Sequence, residues 1–299
     1  MVQIEQGIAY RDTTNSLRIS NGTVELIIST DYGPRILKYG FVGDPDENNV
    51  FGRWDGITLQ TKLGDWHIRG GHRLWIAPET APKSYEPDNS PVPYEIAGNL
   101  IILRPQTEAF THIRKEIQLI LSEEGTHVTV AHTLINEGVF PVEMSVWAVS
   151  VMNKNGIAIF PQEPYQSHRD NLLPVRPLVM WAYTDLTDPR WTWGKKFLAL
   201  RQDPALSEPQ KIGFLNRQGW AAYARNGILF TKRYHVERGL PYPDFHVNTE
   251  TFTNAEMLEI ETMGALKLVE PGEIISHVET WELQRKEVGK TEAEWEAAF

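Results

Sequence analysis

Two stretches of the sequence combine residue types that could move a proton and hold a polar ligand. The first is Arg69-Gly70-Gly71-His72-Arg73-Leu74-Trp75-Ile76-Ala77-Pro78-Glu79. His72 is the residue type that titrates nearest neutrality, so it is a natural acid or base. Gly70 and Gly71 can take positive φ and bring the backbone close to a ligand. Arg73 can fork onto ligand oxygens, and Trp75 offers a flat apolar face suited to the C–H face of a sugar ring. The plain structural alternative is that His72 caps a turn while Arg73 pairs with Glu79.

The second stretch runs from Gly239 to Glu250, where Asp244, His246, Asn248 and Glu250 recur at every second position. On an extended strand that spacing puts all four on one face. Beside Tyr242 and Phe245 they could line a sugar site or hold a cation, and they could equally face solvent. Glu163, in the polar loop between Phe160 and Asp170, is a weaker candidate of the same kind, as is Arg35 after the turn Asp31-Tyr32-Gly33-Pro34. His132 alternates with Val128, Val130 and Leu134, which reads as a hydrogen-bonded core histidine.

No metal or cofactor is expected from these residues. The run from Asp44 to Asp55 imitates a calcium loop, but Asn49 stands where glycine is needed and Asp55 where glutamate is needed. No HExxH spacing occurs, and without any cysteine neither a thiolate site nor a disulfide can form.

The elements that must position these residues read almost entirely as strands. Val24, Leu26 and Ile28 alternate between Thr23 and Ser29, and Ile113–Leu121 leads through a glycine-containing turn into Val128–Leu134. After Asn136-Glu137-Gly138 the alternation resumes at Val142, predicting three successive antiparallel strands. Lys196–Arg201, Gly227–Lys232, Glu256–Thr262 and Ser276–Leu283 have strand length and composition. Thr291 and Glu294 have capping-box spacing before Trp295, predicting a short C-terminal helix. With 22 Gly, 19 Pro and no break in composition, residues 1–299 read as one domain, an all-β protein built as a large antiparallel β-sandwich.

The chain is 41% hydrophobic and 23% charged, which predicts an ordinary packed core. A net charge of −10 and the lack of basic runs argue against a nucleic-acid partner. No stretch has the apolar length of a membrane span, and the first residues lack the pattern of a secretory signal, so no membrane association and a cytoplasmic location are expected.

Several patches resemble the galactose mutarotase-like superfamily. They are His132-Thr133-Leu134-Ile135-Asn136, Pro141 to Trp147, Asn155 to Pro161, Met257 to Gly264, and Pro271-Gly272-Glu273 with the strand after it. More narrowly, Gly70 to Trp75, Lys211-Ile212-Gly213, Gly219-Trp220 and Tyr242-Pro243-Asp244 resemble the bacterial domain of unknown function 4380. The resemblance implies a supersandwich whose concave sheet face holds a carbohydrate. Aldose 1-epimerases of this superfamily use a glutamate on a late strand and a histidine as base and acid.

Carried over, the resemblance makes Glu261 the base, with Glu259 as its rival two residues away, and His72 the acid. A solvated or salt-bridged strand carboxylate is the plain alternative for both glutamates. The family's second and main catalytic histidine lies on a later segment that does not align with this sequence. Arg35, Arg73, Trp75, Asp244, His246, Asn248, Glu163 and Glu259 would contact the sugar. The superfamily also includes non-catalytic binding modules and hydrolase or lyase domains, so an aldose epimerase-like isomerase, a binding protein and a glycoside hydrolase or lyase all stay open.

Overall fold

The structure, a computed structural model, describes residues 1–54 and 57–299, so Asp55 of the calcium-loop imitation lies outside the described residues. Two large antiparallel sheets pack face to face. The first runs, in spatial order, Gln3–Tyr10, Thr13–Ser20, Val24–Ser29, Arg35–Phe41, His72–Ala77, Val142–Met152, Leu258–Met263, Thr249–Thr253, Gln210–Phe214 and Leu178–Met180. The second contains, among others, Phe197–Arg201, Ile157–Pro161, Ile228–Tyr234, Ile274–Arg285, Val128–Asn136 and Ile113–Leu121.

Alternation decides which side chains fill the space between the sheets. Leu26, Ile28, Leu74, Ile76, Ile117, Leu119, Val130, Leu134, Ile260 and Trp281 join one apolar cluster drawn from both sheets. The C-terminal helix is Glu292–Ala298, with Thr291 and Glu294 forming the capping box and Trp295 buried against Phe197. No helix among the described residues is long and apolar enough to cross a membrane.

One connection departs from the sequence reading. Ile113–Leu121 and Val128–Asn136 pair as a hairpin, but the Val142 strand belongs to the other sheet, between His72–Ala77 and Leu258–Met263. Asn136 explains the corner: its amide nitrogen donates to the carbonyls of Phe140 and Val269, both at 2.8 Å, and its Oδ1 accepts from the Gly138 N–H. These bonds satisfy the backbone groups released where the chain changes sheets.

Candidate functional site

The outer face of the first sheet is not bare. Directly paired residues share a face, so the register Arg35–Arg73–Val149–Glu261–Glu250–Gly213 forms one row across it. Trp75, Trp147 and Met263 form the next row, and Glu259, Phe252 and Lys211 the row on the other side. Trp66, on the hairpin Thr58–Thr61/Gly64–His67, packs against Trp75, and Tyr85 meets both rings edge-on. Of these residues Trp66, Arg73, Trp75, Tyr85, Trp147, Lys211, Phe252, Glu259 and Glu261 line a cavity of about 290 Å³, together with Glu79 and Tyr183.

Five charged side chains on this sheet face interlock. Arg73 Nη2 donates to Glu259 Oε1 at 2.9 Å, and its guanidinium stacks 4.2 Å from the Trp75 ring. The partner of Arg73 is therefore Glu259 and not Glu79, which bonds instead to the Tyr85 hydroxyl. Lys211 Nζ lies 2.7 Å from Glu250 and 3.2 Å from Glu261, while Trp147 Nε1 donates to Glu261 Oε2 at 3.0 Å.

Burial pushes the Glu261 carboxyl up to about 7 against the pull of the Lys211 ammonium. Burial raises Glu250 well above the ordinary range too. Burial alone would lower Lys211, but Glu250 and Glu261 hold its ammonium well above normal. Three buried polar atoms in the cavity wall have no hydrogen-bond partner: Glu261 Oε1 and the Nε and Nη1 of Arg73. An acceptor and two donors, all desolvated, are what a polyhydroxylated ligand can satisfy.

The pairing of His72 with Glu261 across one sugar does not survive. His72 neighbours Arg73 in sequence and so projects from the opposite face of the sheet, into the space between the sheets, where it is 0% exposed. There it belongs to a closed polar network. His132 Nδ1 donates to the His277 carbonyl at 3.0 Å, so His132 Nε2 must accept from His72 Nε2–H at 2.6 Å. His72 Nδ1 then accepts from the Ser150 hydroxyl at 2.8 Å. On the far side His277 Nε2 donates to Thr262, and Thr262 to Glu279, whose carboxylate also meets Lys232 at 2.8 Å and Trp281 Nε1 at 2.7 Å.

Burial drives His72 well below its usual range and His277 down to about 3, so the histidines of this network are neutral. The ligand atoms of His72, His132 and Glu279 lie within 4.8 Å of one another, a spacing that could hold a cation. Each is already committed to hydrogen bonds, and Lys232 supplies the positive charge.

The remaining candidates divide between the cavity and the scaffold. Arg35 is fully buried and donates to the carbonyls of Ile68 (2.8 Å) and Gly70 (3.0 Å) and to Asp88 (3.0 Å), so it anchors the chain after the covering hairpin and is not part of the cavity wall. Gly70 and Gly71 do take positive φ, but what approaches them closely is the chain itself. A Cβ there would strike the carbonyls of Gly52 and Ile36 respectively.

The Asp244–Glu250 alternation is broken by a left-handed turn, with φ of 48°, 60° and 79° at Asp244, Phe245 and His246. The strand begins only at Thr249. Asp244 and His246 are absent from the cavity wall, and His246 is exposed, its Nδ1 accepting from the Tyr242 N–H. Asn248 is buried and clasps the Asn216 backbone at 2.7 and 3.1 Å. Glu250 alone of the four joins the charged row. Glu163 lies in a separate groove with Arg176 and Trp193.

Sequence reasoning reached Glu261, Glu259, Glu250, Arg73 and Trp75 and overlooked the roles of Lys211, Trp147 and Trp66. Lys211 left a signal: it is the one charged residue in the otherwise uncharged strand Gln210–Phe214, where a buried ammonium needs carboxylate partners.

No protein-family model matches the chain, and no curated protein matches it. Its fold nevertheless recurs among solved structures. A TPR-domain containing protein from Parabacteroides distasonis superposes with a TM-score of 0.63 at 13% identity over 92% of this chain, which spans about half (48%) of that protein. A candidate aldose 1-epimerase from Klebsiella pneumoniae matches with a TM-score of 0.61 at 13% identity, covering 99% of this chain and 85% of that one. A galactose mutarotase-like protein from Lactobacillus casei gives 0.58 at 10% identity, with 90% and 100% covered. Likeness at this level of identity speaks for architecture and leaves the chemistry to the site. By that measure this protein has the galactose mutarotase-like fold.

Proposed function

We propose that this protein binds a sugar or sugar derivative in the aromatic-walled cavity on the outer face of the first sheet, and that Glu261 exchanges a proton with it. The observation that carries the reading is the unpartnered, fully buried Oε1 of Glu261 in a wall shared with Trp75, Trp147 and the two free nitrogens of Arg73. Trp147 and Lys211 fix the other oxygen, so Oε1 is the one left open for a ligand hydroxyl. A carboxyl near pH 7 is matched to proton transfer at neutral pH.

Ring opening and closure also need a second proton-transfer group. His72 is on the wrong side of the sheet, while Glu79, Lys211 and Tyr183 line the cavity. That displacement of the histidine favours a second reading, a binding protein with the same contacts and no turnover. The finer assignment to the domain of unknown function 4380, action as one domain, and residence in the cytoplasm belong to this proposal, with a carbohydrate as the partner and no nucleic acid or membrane.

The test is to titrate free aldoses by calorimetry and to follow anomer exchange of each by NMR, for wild type and Glu261→Gln. The epimerase reading expects binding by both proteins and faster exchange with wild type only. Binding without faster exchange by either selects the non-catalytic reading. No binding to any sugar overturns both.

A further inference from the structure

A second cavity, of about 220 Å³, adjoins the first and shares three of its wall residues, Trp66, Arg73 and Trp75. It exists because the first sheet splits. Arg35–Phe41 and His72–Ala77 pair only at Arg35–Arg73 and Ile36–His72, so the two strands part beyond Arg73. Leu74 and Trp75 keep their sheet partner on the Val142–Met152 side, and on the other side they line the opening, across from the Gly33–Pro34 turn and the loops around Asp88 and Ala109.

The acidic groups of this second space are spoken for. Asp88 pairs with Arg35 at 3.0 Å and Arg69 at 3.5 Å, Glu108 with Lys115 at 2.5 Å, and Glu86 accepts from the Phe110 N–H at 3.0 Å. Arg73, whose charge Glu259 already balances, contributes the two buried nitrogens without a partner. Such a lining, with its charges paired internally and donors left over, suits a neutral hydroxylated group better than an ion. Each cavity alone falls short of the roughly 300–1,000 Å³ of ordinary ligand pockets, whereas the volumes of the two neighbours taken together fall within it.

We propose that the ligand is a glycoside of at least two sugar units, one in each cavity, with Arg73 at the junction donating to both. The proposal rests on the carbohydrate reading above and adds the second subsite and the size of the ligand.

The experiment compares glucose, galactose and mannose with lactose, maltose, cellobiose and mannobiose by calorimetry, on wild type and on Ser90→Trp and Ala109→Trp. Both substitutions stand on exposed loop positions that line only the second cavity, where an indole fills space without disturbing the core. At least one disaccharide should bind about tenfold more tightly than its component monosaccharides, and in both variants that ratio should fall toward one. Monosaccharides binding as tightly as every disaccharide would overturn the second subsite while leaving the carbohydrate reading intact. So would a tenfold ratio that survives both substitutions. Binding of no sugar in the panel would overturn both.

Discussion

Glu261→Gln should remove a defined piece of the pH dependence of stability. Burial raises the Glu261 carboxyl from the ordinary 4.5 to about 7 in the folded protein. Below pH 4.5 both folded and unfolded chains hold this proton, and its contribution to stability is fully present. Between pH 4.5 and 7 the unfolded chain releases the proton first, so unfolding is progressively favoured as pH rises, and above 7 the loss is complete. At about 1.36 kcal/mol per pH unit this amounts to about 3 kcal/mol. Glutamine keeps the shape and can still accept the Trp147 N–H, so the substitution removes the titration with little change in packing. Lys211, left with Glu250 alone, also lowers the Glu250 carboxyl, which reduces the slope further in the same direction. Urea unfolding of wild type and variant, followed at half-unit steps from pH 4.5 to 8, gives the stability difference directly. The variant should gain on wild type by about 3 kcal/mol across the window. A difference that is flat in pH would refute the buried, raised carboxyl and with it the poised base.

Two further substitutions separate scaffold from site. His72→Gln breaks the bonds to His132 and Ser150 between the sheets and should cost about 1–3 kcal/mol of stability, while sugar affinity at 25 °C stays at the wild-type value; a loss of affinity without loss of stability would return His72 to the site. Lys232→Met leaves Glu279 buried without its cation and should destabilise by about 3–5 kcal/mol in chemical denaturation at pH 7. Adding Glu279→Gln to Lys232→Met should recover most of that loss, because the orphaned charge is then gone, and no recovery would show that the hydrogen bonds to Thr262 and Trp281 matter more than the charge.

The strands were legible because alternation is a local property. The hairpin of Ile113–Leu121 with Val128–Asn136 and the capping box at Thr291 arise from near neighbours. The sheet exchange at Asn136 was not legible, since the bond that turns the corner reaches Val269, far along the chain. The same limit governed the site. Arg73 was found from its type and setting, and Glu261 from the resemblance to the aldose 1-epimerases. That they share a row across Val149, and that Lys211 stands between Glu250 and Glu261, depends on a register between strands distant in sequence. The Asp244–Glu250 pattern misled because period-2 spacing carries meaning only on extended backbone, and three left-handed residues interrupt it.

Strand parity separates the adjacent pair His72-Arg73. A strand buried on both faces sends neighbouring side chains into separate environments, so two polar residues side by side in sequence cannot share one small ligand. His72 serves the inter-sheet network and Arg73 the cavity, although both are almost fully buried and polar. Their hydrogen bonding distinguishes them. Both His72 nitrogens are bonded, as a structural group requires, whereas Arg73 keeps two nitrogens unpartnered beside a cavity. A buried donor left open costs stability that packing alone could have saved. Its persistence next to the equally open Glu261 Oε1 is therefore the strongest argument that this face of the sheet is built for a ligand.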